Sequence, residues 1–293
     1  MKPLRLRLED ARGKTKLPWE VLERDYLLSW ILAGLFQIDN LRGALVFKGG
    51  TALKKCWLGD HRFSEDLDFT AVGTIPTGTG METAVREACN RAVQLLDPYA
   101  PINIVCERHE ERDPHPSGQE AFDIRAKFPW HRNPQVHVMV EISMDEKVLK
   151  PVIRRNMVHE YGEPLEVLLP CYSLEEIVAE KLRAILQHDR SLEQRGWARS
   201  RARDFYDLWR VLGNYRGRLD LSDFPDFLRE KCDVRGVKYL GPESFFPDRM
   251  LSTVEKTWEQ WLGPLVTDLP SSGMVIEELR PLVATLLATP PGE

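Results

Sequence analysis

The sequence predicts an α/β fold that gives way to an all-helical C-terminal domain. Three observations support this. Short apolar runs rich in β-branched and aromatic residues alternate with helix-period segments in the first 165 or so residues. A Gly-Gly pair separates one such run from a helix-like stretch in FKGGTAL, Phe47 to Leu53. Beyond Pro170 every periodic segment has helical spacing.

Taken in order, Trp19 to Ile38 carries Val21, Leu22, Leu28, Ile31, Leu32 and Leu35 at helical spacing, which predicts an amphipathic helix. GALVFKG reads as a short strand broken by glycine, TALKKCWL as a helix, DLDFT as a strand and METAVREACNRAVQLL as a long helix. INIVCER, AFDIRAKF and QVHVMVEIS are three further strands. ERDPHPSGQ, with two prolines and a glycine, is a loop. Glu166 to Pro170 has the makings of a strand completing the sheet. Helices then follow in SLEEIVAEKLRAIL, RARDFYDLWRVL, SDFPDFLREK, Met250 to Trp261 and MVIEELRPLVATLLA, and the tail ATPPGE is expected to fray. The domain transition falls near residues 165–172, giving a core over 1–168 with an N-terminal helix and a helical domain over 169–293.

Composition narrows the function classes. Of 293 residues, 43% are hydrophobic and 29% charged, enough apolar material for a substantial core. No apolar run approaches the roughly 20 residues that cross a bilayer, and the N-terminal MKPLRLRLEDARGK lacks the apolar stretch of a signal peptide. Cys56, Cys89, Cys106, Cys171 and Cys232 are scattered and never spaced CxxC, which fits reduced thiols in a cytoplasmic protein rather than a zinc site. The net charge of −5 is not that of a basic nucleic-acid binder. Arginines nevertheless cluster between Arg190 and Arg218, including Arg195, Arg199, Arg201 and Arg203, and a local basic surface attracts phosphate; an ordinary solvated helix face is the plainer alternative.

Two features do not serve a core. Gly49 and Gly50 sit where a strand turns into a helix; glycine allows a tight turn and close approach, and a helix start offers N–H groups to phosphate. Thr51 either caps that helix or gives its hydroxyl to the same phosphate. In SEDLDFT, Asp66 and Asp68 emerge on one strand face while Leu67 and Phe69 take the other. Two like charges a pleat apart need compensation, which a divalent cation such as Mg²⁺ supplies together with phosphate oxygens. A third carboxylate would complete such a site; Glu141 in HVMVEIS is the best candidate, and Asp123 in AFDIRAKF competes with it. Lys181 falls within the apolar stripe Leu174, Ile177, Val178, Leu182, Ile185, Leu186, so it either snorkels or meets an anion. Asp204 borders the stripe Phe205, Leu208, Val211, Leu212, with Asp207 as the alternative.

Together these motifs resemble a family. GG-T-x-L followed by S-E-D-L-D-F is similar to the signature of nucleotidyltransferases related to DNA polymerase beta. KGGTALKK with RFSEDLDF, EEIVAEKLRAIL and RxRDFYDLW more narrowly resembles the AbiEii toxins of abortive-infection, type IV toxin–antitoxin systems, which include the MenT-like enzymes. The resemblance covers roughly residues 45 to 215 and implies a mixed sheet with flanking helices. It implies nucleotide transfer from an NTP, with Mg²⁺ or Mn²⁺, to an RNA acceptor, most plausibly the tRNA 3′ end, and a neutralising antitoxin from an adjacent gene. On that basis Asp66, Asp68, Lys181 and Asp204 are catalytic. Lys48, Gly49, Gly50, Thr51, Ser64 and Lys181 hold nucleotide, and Asp66, Asp68 and Glu141 hold metal. Arg195, Arg199, Arg201 and Arg203 hold RNA. Rival readings are a transferase acting on a small molecule or protein, a metal-dependent nuclease, and a non-catalytic binding module. A nuclease has no triphosphate for the glycine turn to hold.

Overall fold

A computed structural model of the chain describes residues 1–109, 118–195 and 200–288, with side chains throughout except at 193–195. The predicted loop ERDPHPSGQ and the tail ATPPGE lie largely outside these residues. The chain divides into two compact units, Met1–Val148 with Val152–Tyr172, and Leu149–Pro151 with Ser173–Glu293.

The first unit opens with α1 (Leu4–Thr15), α2 (Trp19–Leu35) and the single turn α3 (Asp39–Arg42). Strand β1 (Leu45–Lys48) runs into α4 (Gly49–Ala52), which continues as a π-helical segment, Leu53–Leu58. Then come β2 (Leu67–Ala71), α5 (Thr79–Leu96), β3 (Asn103–Arg108), β4 (Gln119–Lys127), β5 (Val136–Ser143), β6 (Ile153–Asn156) and β7 (Leu168–Cys171). The strands form one mixed sheet in the order β3-β4-β5-β2-β1-β7-β6. β2 pairs with β5, and β1 with β7, in parallel; the remaining pairs are antiparallel. Alternation along β5 buries Val138, Val140 and Ile142 and leaves His137, Met139 and Glu141 on the other face, as the sequence predicts. The buried face packs under α2 and α5.

Several elements depart from the sequence expectation. α2 is not amphipathic but buried on nearly every side, because α1 lies against it and its acids find internal donors. Glu23 accepts from the indoles of Trp19 and Trp130 and pairs with His131, while Asp25 binds Lys55 at 2.7 Å and Tyr161 at 3.0 Å. TALKKCWL is a helix in two parts, one α turn and then π turns, an insertion often found at functional sites. β6 is an added edge strand whose IRRN sequence is largely exposed; charged side chains are a common protection of such an edge. α1 is anchored from its own side chains: Leu4 and Leu8 are buried, and Arg7 reaches Glu163 at 2.5 Å.

The second unit contains α6 (Leu174–Arg195), α7 (Ala202–Asn214), α8 (Phe224–Asp233), α9 (Asp248–Leu262) and α10 (Ser272–Leu287). α7 packs on α6, α9 and α10, and α8 on α6 and α10. Both predicted apolar stripes are buried in full. Glu176 explains why Leu149–Pro151 belongs here: its buried carboxylate accepts from the Leu149 and Lys150 N–H groups and from Lys231 Nζ at 2.6 Å.

Candidate active site

Strand register places the acids of the first unit. Lys48 of β1 stands opposite Asp68 of β2, and Asp68 stands opposite Glu141 of β5. Neighbouring strands lie about 5 Å apart, so a lysine and two carboxylates form one row across three strands. Lys48 Nζ also donates to Ser143 Oγ at 3.2 Å and lies 5.8 Å from the Tyr172 ring centroid. Glu141 accepts from Gln119 at 2.8 Å. Leu67 and Phe69 are fully buried on the opposite face, which leaves Asp68 half-buried on the row side. Asp66 immediately precedes β2 rather than lying within it, because pairing with β1 and β5 begins only at Leu67 or beyond.

The glycine turn meets this row. Gly49 has φ +78°, a conformation that side chains disfavour, and a Cβ there would overlap Asp68 Oδ2. The Asp68 carboxylate therefore sits directly against the bend. Thr51 is 1% exposed and its hydroxyl donates to the Asp66 carbonyl at 2.5 Å, tying the turn to the start of β2. Thr51 therefore fastens the turn to the strand rather than capping a helix, since α4 has no side-chain cap. α4 continues without a break into the π segment, so the peptide dipoles of the two parts run the same way, with their positive end at the bend. On the far side of the turn, Gly50 faces the guanidinium of Arg62 and the hydroxyl of Ser64.

Asp123 is placed differently from its competitor. It pairs with Met139, outside the Lys48–Asp68–Glu141 row, and binds His109 Nδ1 at 2.7 Å and His137 Nε2 at 2.6 Å. Partial burial would raise its pKa, but the two histidines hold it below the usual carboxylate range.

Among the described residues, no three His, Cys, Asp or Glu side chains converge tightly enough to hold a metal by themselves. The donor set still suits Mg²⁺, which keeps waters and is bound through one or two carboxylates plus substrate phosphate oxygens. Asp68, set against a bend only glycine fits and opposite Glu141 in register, offers that kind of partial set.

In the second unit, Lys181 does not snorkel. Its ammonium lies 2.8 Å from Asp204 and 2.6 Å from Asp207, and the lysine is 7% exposed. Both candidate aspartates are thus partners of the same cation. Asp207, at 0% exposure, is the deeper of the two. The signal for it was in the sequence, because Asp207 lies four residues before Val211 within the apolar stripe of α7. Arg201 adds a third contact, to Asp204 at 3.3 Å. Burial works to raise the Asp204 pKa, but Lys181 and Arg201 hold it below its ordinary value. His188, further along α6, is buried and kept neutral, its pKa pushed down to about 4 by burial and by Arg201.

Of the four arginines assigned to RNA, Arg199 and the side chain of Arg195 lie outside the described residues. Arg201 pairs with Asp204, and the Arg203 guanidinium stacks 5.0 Å from the Trp261 ring centroid. Arg62 is the residue that sequence reasoning passed over. It lies inside the quoted RFSEDLDF motif, but nothing in that string signals that its side chain folds back over the turn.

Among solved structures, the nucleotidyltransferase toxin MenT4 from Mycobacterium tuberculosis H37Rv is similar, with a TM-score of 0.63 and 22% identity over 98% of this chain and 90% of that chain. At that identity the likeness establishes the fold. No curated protein matches. The family model described as nucleotidyl transferase AbiEii toxin, type IV toxin–antitoxin system, matches residues 30–288. With most of its length inside that match, the chain belongs to the AbiEii nucleotidyl transferase toxins of type IV toxin–antitoxin systems.

Proposed function

We propose that this toxin transfers a nucleotide from an NTP to an RNA acceptor, the 3′ end of tRNA, and so blocks translation. The observation that carries this reading is the Asp68 carboxylate, set against the Gly49 bend and in register with Lys48 and Glu141. Phosphoryl chemistry needs little covalent help from a protein and much positioning and charge stabilisation. The row and the bend offer both within a few residues.

In this reading the backbone of Gly49 and Gly50, with Lys48 and Ser64, receives the phosphates, and Thr51 keeps the turn docked on Asp66. Asp66 and Asp68, with Glu141 beside them, would hold Mg²⁺ or Mn²⁺, which supplies Lewis-acid stabilisation of phosphate charge when bound. The acceptor hydroxyl attacks the α-phosphorus in line and gives up its proton to solvent; a new P–O bond forms as the α–β bridge breaks and pyrophosphate leaves. Lys181, fixed by Asp204 and Asp207, keeps the catalytic assignment that the family resemblance implies. Arg195, Arg199, Arg201 and Arg203 are assigned to the RNA backbone. The partner is a cognate antitoxin, in keeping with a type IV system. No helix among the described residues is long and apolar enough to cross a membrane.

Purified protein incubated with total RNA and each labelled NTP in turn tests this directly. Lengthened, labelled tRNA is the expected product. Shortened RNA would favour the nuclease, and label on a small molecule or protein would move the acceptor class.

A further inference from the structure

Gly50 raises a separate question, because its φ is not in the left-handed region and no backbone strain demands glycine there. What excludes a side chain is Arg62: a Cβ on Gly50 would lie 2.5 Å from an Arg62 guanidinium nitrogen and 3.4 Å from Ser64 Oγ. An arginine tip can normally swing aside. This one is 5% exposed and donates to the Phe63 carbonyl at 3.0 Å. The segment that carries it is stitched to the glycine-led helix at both ends. Lys54 Nζ binds the Gly59 carbonyl at 2.9 Å and lies 4.1 Å from the Phe63 ring centroid. Thr51 holds the Asp66 carbonyl at the other end. Between these two fastenings the guanidinium fills the face of the turn that a side chain would occupy.

We propose that Arg62 is a positioning residue of the nucleotide site, its guanidinium seated against Gly50 and fixing the glycine turn relative to Asp66 and Asp68. The close approach that Gly50 permits is then internal, whereas that at Gly49 is to the Asp68 carboxylate. The two glycines of the bend thus admit different partners: Gly49 an acid, Gly50 a cation. A cation of fixed place beside the bend also favours the polyphosphate that the proposed function brings there, and this part of the inference rests on that reading.

The test is a double-mutant cycle of Gly50→Ala and Arg62→Ala, with Arg62→Lys as the conservative variant. Three readouts are taken: melting temperature without ligand, affinity for Mg²⁺·NTP by calorimetry, and nucleotide transfer. Gly50→Ala is expected to lower Tm by several degrees when Arg62 is present, and by about a degree or less when Arg62→Ala has removed the guanidinium. Arg62→Ala is expected to weaken NTP binding about tenfold or more, with Arg62→Lys intermediate. If Gly50→Ala folds only when Arg62 is also replaced, the contact is supported. Equal Tm losses in both backgrounds, or failure to fold in both, overturn it. A coupled Tm with NTP affinity unchanged in Arg62→Ala overturns the positioning role and leaves a structural one. Absence of transfer by the wild-type protein, with NTP binding and coupling intact, would count against the proposed function and not against Arg62.

Discussion

The two clusters of charge in this protein are built in contrasting ways. In the sheet unit, Asp68 and Glu141 are half-buried and take their places from strand register, through backbone pairing that does not depend on their charge. In the helical unit, Lys181 and Asp207 are buried and hold one another, at 2.6 Å, with Asp204 and Arg201 extending the set. A group positioned by the backbone can be neutralised without loss of fold. A group positioned by its counter-charge cannot lose its partner without leaving a charge buried. The first arrangement suits chemistry and the second suits a fixed cation.

The same kind of change, acid to neutral, should therefore have opposite consequences. Asp68→Asn should cut nucleotide transfer about a thousandfold or more, on the order of 4 kcal/mol of barrier, while Tm stays within a few degrees of wild type. Asp207→Ala should instead cost about 3 kcal/mol of stability, read by denaturant unfolding, with activity lost as the fold is lost. If Asp207→Ala melted normally, the contrast would fail from the helical side.

Glu163 extends the comparison to pH. Burial would raise its pKa, but hydrogen bonds from His159, Arg7 and Tyr26 bring it down to about 2 from an ordinary 4.5. A folded-state pKa below the unfolded value gives stability that is complete above about pH 4.5 and lost as pH falls toward 2. The effect is on the order of 3 kcal/mol. Glu163→Gln should flatten the acid limb of Tm against pH, and an unchanged limb would remove Glu163 as its source.

Smaller effects follow at the edges. Gly49→Ala imposes about 1–2 kcal/mol of backbone strain and displaces Asp68, so transfer should fall roughly 10- to 100-fold by steady-state kinetics. Arg203→Ala should raise KM for RNA only a few-fold, flatten its salt dependence by about one charge and leave KM for NTP unchanged.

The sequence made much of this visible, for identifiable reasons. β2 and β5 were readable because strict alternation puts Leu67, Phe69, Val138, Val140 and Ile142 on one face, and the same parity located Asp68 and Glu141. Glu141 is the better candidate from the sequence alone, but its place opposite Asp68 is not readable there, since register between strands distant in sequence depends on pairing no local pattern encodes. α1 escaped notice because LRLRLED alternates with a period of two, and only Leu4 and Leu8 carry the helical spacing. The buried faces of α2 escaped for a related reason: Glu23 and Asp25 look like a solvent stripe until Trp130, His131, Lys55 and Tyr161 arrive from elsewhere in the chain. Lys181's need for an anion was legible, whereas its double pairing required the fold.

The central claim, that acids beside a glycine bend carry nucleotide transfer, is tested most directly by assaying incorporation of labelled NTP into RNA by Asp66→Ala alongside the wild type, with Tm measured on the same preparations. The account predicts incorporation at background and a melting temperature close to wild type. Incorporation at the wild-type rate by the folded variant would contradict it.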